Sequence, residues 1–136
     1  MTKQQSHGPK VYVVQKPHRL VAPESETGPA VWAPSMDLSP AYEFGEVINI
    51  LPCDADTYYP AGLHEDLLKG LAQFREGTDY LLTVGDLLAC TIAVGILARR
   101  QKTVDVLKWN SKRRKYVALT LFAEEQEHEH EHERRA

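Results

Sequence analysis

The chain has eight prolines, all between Pro9 and Pro60; residues 61–136 hold none. Proline fixes φ and removes a backbone donor, so it interrupts helices and avoids central strands. The first part of the chain must therefore be cut into short pieces, and the long regular elements must come from the second. Val11–Gln15 is a short apolar strand that follows a flexible N-terminus over residues 1–10. Residues 16–40 hold five of the prolines and the run Glu24-Ser25-Glu26-Thr27-Gly28, which predicts a long extended loop. A loop of that length in a small domain is either functional or disordered.

Regular structure returns at Glu43–Leu51, where Val47, Ile48, Ile50 and Leu51 make a strand that stops at Pro52. Leu63, Leu67, Leu68, Leu71 and Phe74 recur at helical spacing and predict one amphipathic helix. Asp79–Val84 is a short apolar strand, the kind buried on both faces between helices. Gly85-Asp86 then opens a second helix, Leu87–Arg100, with Asp86 as N-cap and Arg99 and Arg100 at its negative end. That helix is apolar nearly all round, which predicts a central position. Thr103–Trp109 and Tyr116–Phe122 are strands joined by a polar turn, a C-terminal β-hairpin. The order β-β-α-β-α-β-β predicts an α/β fold: one small layered sandwich over residues 11–122, Rossmann-like in outline, with a tail over residues 123–136.

Several function classes drop out. No apolar run reaches the roughly 18 residues a membrane span needs, and MTKQQSHGPK has no hydrophobic signal segment. Cys53 and Cys90 lie far apart and outside any CxxC, so two reduced thiols are expected. His64-Glu65-Asp66 resembles the start of a zinc-protease motif, but Leu68 stands where the second histidine belongs. GxSxG is absent, and Cys90 sits among apolar neighbours that keep a thiol protonated. His18 stands alone in the proline-rich segment. No catalytic residue and no cofactor are assigned.

Three places remain as candidate sites. The first is the turn Thr83, Gly85, Asp86, because open α/β sheets bind ligands where strands end and helices begin. Against a nucleotide there, Asp86 takes the helix amides that a phosphate would use, so capping is the favoured role. The second is the hairpin. Residues 99–123 hold eight bases and one acid, a local +7 in a chain whose net charge is −3. Lys108, Lys112, Arg113, Arg114 and Lys115 surround the turn, and Trp109 and Tyr116 flank it. Cations with aromatics suit phosphates and bases; lysines on an edge strand also simply prevent edge pairing. The third is the acidic tail, where His128, His130 and His132 alternate with glutamates and are weak metal candidates.

VYVVQ, DLSPAYEFGEVINILP, FREGTDYLLTVGD and VDVLKWNSKRRKYVALTL together resemble a group of small, largely uncharacterised proteins encoded by tailed bacteriophages and prophages. The DYLL-x-x-GD stretch is the most specific part; other versions often carry proline where this chain has Leu87. The resemblance implies a phage origin and the host cytoplasm, and it carries over no reaction.

The leading expectation is a non-enzymatic binding protein acting on a host or phage macromolecule through the hairpin and the 16–40 segment. A nucleic-acid-binding accessory protein and a nucleotide-binding domain at Gly85-Asp86 are the alternatives. A host or phage protein is the expected partner, with nucleic acid and self-association open and no membrane involved.

Overall fold

The computed structural model describes residues 8–21 and 28–123. The first seven residues, the stretch 22–27 and the tail with His128, His130 and His132 lie outside the described residues.

Five strands form the main sheet: β1 (Lys10–Gln15), β4 (Glu46–Leu51), β5 (Tyr80–Leu82), β6 (Val104–Asn110) and β7 (Lys115–Leu121). They lie in the order β4-β1-β5-β6-β7. The first four are parallel and β7 is antiparallel to β6. Two helices, α1 (Pro60–Gly70) and α2 (Leu87–Arg100), connect β4 to β5 and β5 to β6. The α/β class, the second helix and the closing hairpin follow the sequence pattern closely.

The run VYVV explains why β1 is central. Tyr12 and Val14 face a core that contains Leu63, Leu67, Leu71, Ala93, Leu97, Val104 and Val106. Val11 and Val13 face a second core with Leu38, Ala41, Leu82, Leu107 and Tyr116. Each fully buried leucine stabilises the fold by about 1.5–3 kcal/mol relative to exposure.

Topology accounts for the two faces. From β1 the chain moves to β4 on one side, then back past β1 to β5, and onward to β6. Crossovers keep one hand, so the reversed step puts its connection on the opposite face. A 3-10 helix (Ser39–Phe44) packs there, while α1 and α2 share the other face. The reversal leaves a crevice between the carboxyl ends of β1 and β5, the switch point at which sheets of this kind bind ligands.

Three local expectations change. Residues 16–40 are not all loop: β2 (His18–Val21) and β3 (Val31–Pro34) pair as an antiparallel ribbon. In a two-stranded ribbon both strands are edges, so the flanking prolines need not remove a ladder bond. Glu43 and Phe44 belong to the 3-10 helix rather than to a strand. The second helix is not central. One flank is open, Leu87 is 81% exposed, and Leu68 of α1 also faces outward. Among the described residues α1 is the one helix beside α2, and it leaves that flank uncovered. No helix of the described residues is long and apolar enough to cross a membrane.

Candidate functional site at the carboxyl edge of the sheet

Because four strands are parallel, their carboxyl ends lie along one edge, and the sequence candidates gather there. At the switch point is a crevice of about 510 Å3, lined by Gln15, Lys16, His18, Cys53, Asp54 and Asp86 among others. Gln15, the last residue of β1, is buried and organises it. Its Nε2 donates to the Pro52 carbonyl at 3.1 Å, and its Oε1 accepts from the Asp86 amide at 3.0 Å. One amide thus ties the ends of β1, β4 and β5. Gly85 has φ +102°, and a Cβ there would lie 2.5 Å from the Gln15 carbonyl oxygen. Only glycine permits both the turn and this approach.

Asp86 caps α2: its Oδ2 accepts from the Ala89 amide at 3.0 Å. The carboxylate occupies the helix end that would attract an anion, so a phosphate is disfavoured at Gly85-Asp86. Thr83 is not part of this crevice; it borders a separate cleft. His18 Nδ1 lies 2.8 Å from the Lys16 carbonyl, and since a carbonyl only accepts, Nδ1 carries the proton. Both cysteines are free. Burial, and then the Asp86 charge, push the Cys90 thiol up to about 11, so it is protonated at neutral pH.

The hairpin is the second part of the edge. Trp109 pairs with Tyr116 and Asn110 with Lys115, leaving residues 111–114 as the turn. Asn110 Oδ1 accepts from the Lys112 and Arg113 amides at 3.0 and 3.1 Å, which braces the turn from within. Arg114 sits at φ +54°, a conformation usually left to glycine or asparagine. Pairing of β5 with β6 is recorded to Leu82 and Leu107. Residues 108–110 therefore carry the turn about 10 Å beyond that pair.

The +7 of the sequence divides in the structure. Arg100 Nη2 donates to the carbonyls of Leu71 at 2.6 Å and Phe74 at 3.2 Å, an internal task at the end of α1. Among the described residues, Lys108, Lys112, Arg113, Arg114 and Lys115 join no ion pair. Trp109 and Tyr116 meet edge to face, centroids 5.0 Å apart at 71°. Tyr116 is buried while Trp109 stays 42% exposed.

The family model described as Phage Pam3 gp32-like protein matches residues 9–122. The chain belongs to this family. The match spans the whole sheet and both helices, and so takes in the residues of the crevice and the hairpin in this chain. No curated protein and no solved structure matches the chain.

Sequence reasoning passed over three residues that matter here. Gln15 reads as the polar end of a strand, and nothing local announces that it ties three strand ends together. Met36 lies in the proline-rich segment, yet it walls the cleft beside Trp109. Asp79 reads as the start of a strand but is a fully buried carboxylate.

Proposed function

We propose that this phage protein is a non-enzymatic binding protein that engages an acidic macromolecule, of the host or of the phage, through the β6–β7 hairpin in the infected cytoplasm. The observation that carries it is the cluster Lys112–Lys115 with Lys108: exposed cations without a partner among the described residues, on a turn braced by Asn110 and strained at Arg114. Backbone strain persists only where surrounding structure holds it, and it gathers at functional sites.

The test is the salt dependence of polyanion binding by the intact chain. Each phosphate neutralised adds about −0.7 to −0.9 to the slope of log K against log salt. Replacing Lys112, Arg113, Arg114 and Lys115 together by glutamine should flatten that slope by about 3. An unchanged slope defeats the proposal.

The crevice supports a second reading, a small-ligand site, because it falls at the switch point of the sheet. Asp86 argues against the phosphate of a nucleotide there, so the hairpin carries the proposal.

A further inference from the structure

Beside the basic turn, on the face of the sheet that the 3-10 helix covers, lies an apolar cleft of about 440 Å3. Met36 and Trp109 wall it, and Leu82, Val84 and Leu107 lie beneath. Its volume is in the range of sites that hold small planar groups. The Trp109 ring meets buried Tyr116 edge to face, and the residue stays exposed. A tryptophan packed on a buried tyrosine and left exposed, beside cations that join no ion pair among the described residues, is a stacking platform within reach of a charged backbone.

That pairing of features separates the classes of acidic partner. An acidic protein surface would use the cations but has no need of the aromatic platform. A duplex offers phosphates on its outside and keeps its bases stacked within. An unpaired strand offers both a phosphate backbone and a free base face. Base–aromatic stacking tolerates any base, because every base has a π-face.

Building on the hairpin reading, we propose that the chain binds single-stranded nucleic acid, with an unpaired base stacked on Trp109 in the Met36 cleft and the flanking phosphates on Lys108 and Lys112–Lys115. The 2′-hydroxyl decides between DNA and RNA, and nothing in the cleft requires either one.

The experiment measures anisotropy of labelled probes with the intact chain: oligo-dT and oligo-U of about 15 nucleotides, a matched duplex, and poly-glutamate. Wild type should bind at least one of the single strands more tightly than the duplex or poly-glutamate. Trp109→Ala should weaken single-strand binding about ten-fold and leave the salt slope unchanged, while Trp109→Phe, which keeps a stacking face, stays within a few-fold of wild type. Met36→Glu places a carboxylate on the opposite, exposed wall without disturbing the packed ring, and should weaken the same probe about as much. The inference is overturned if duplex or poly-glutamate binds as tightly as the single strands. It is overturned equally if both Trp109→Ala and Met36→Glu bind them like wild type. The hairpin reading fails separately, if the four-glutamine variant keeps the wild-type salt slope with every probe.

Discussion

The two ends of the sheet treat charge in opposite ways. At the amino end, Asp79, Arg75 and Glu76 each have an internal task. Asp79 is fully buried and accepts from the Lys10 amide at 3.0 Å and from the Arg75 amide at 2.8 Å. It also accepts from Arg75 Nε and Nη2 at 3.2 and 2.9 Å, and that same Nη2 reaches the Gly8 carbonyl. Glu76 accepts from the amides of Lys102 and Thr103, both at 2.9 Å. At the carboxyl end, Gln15 and Asp86 are likewise satisfied, but among the described residues the hairpin cations join no ion pair. Charge with a partner inside the fold stabilises the fold. Charge that the fold leaves over is available to something else, and a net charge of −3 hides which is which.

The most severe way to break this contrast is Asp79→Ala. It leaves two backbone amides facing a void and removes the carboxylate from beside the Arg75 guanidinium. Removing one member of a buried pair costs about 3–5 kcal/mol. Because the Arg75 side chain is 39% exposed, water recovers part of that. We expect a loss of about 3 kcal/mol in urea unfolding, with the salt slope of the folded protein unchanged. A loss below about 1 kcal/mol would mean that the amino end is not held by its charges. A fall in the slope would mean that the two ends are coupled.

The same contrast explains what could be seen in the sequence. Long, periodic segments were legible because burial repeats along them: Leu87–Arg100 is a helix with those same ends, and Val11–Gln15 reads as a short apolar strand. The basic turn was legible as a run of adjacent residues. The partners that cancel or expose charge were not, because they are far apart in the chain. Lys10 and Asp79 are 69 residues apart, and Gln15 and Asp86 are 71 apart. The β2–β3 ribbon was hidden for another reason. Two short strands among prolines have no periodicity to read, and only their pairing across the gap, from His18 with Pro34 to Val21 with Val31, defines them. The Met36 cleft depends on that ribbon returning to the sheet, so it shared the same obscurity.

A smaller effect sharpens the contrast within one residue. Arg114 holds φ +54°, which costs a non-glycine residue on the order of 1 kcal/mol. Arg114→Gly relieves that strain, while the freer unfolded glycine takes back part of the gain. A net stabilisation of about 0.5 kcal/mol is expected in thermal or urea unfolding. The same change deletes one cation, so the salt slope should flatten by about 0.7–0.9. Stability rising while binding weakens is the signature of a turn shaped for a partner. If both fall together, Arg114 is a structural residue and the turn belongs with the amino end.

The smallest effect is a pH dependence at the amino end, centred on Glu76. The Thr103 amide, chiefly, holds the Glu76 carboxyl below its usual range, with the Lys102 amide and the Thr103 hydroxyl adding to it. The native state therefore favours the charged form, and the unfolded chain binds more protons near its ordinary value of about 4.3. Stability from this group is fully present above that value and is lost as pH falls through the lower folded one. Glu76→Gln keeps an acceptor but cannot ionise. Its stability deficit relative to wild type should be greatest near neutrality and shrink as pH falls from about 5 to about 3. A deficit that does not change over that interval would show that the charge on Glu76 contributes nothing. The hairpin offers no such dependence, since lysine and arginine stay protonated throughout that range. Acid should therefore weaken the Glu76 contacts at the amino end and leave the hairpin cations charged as before.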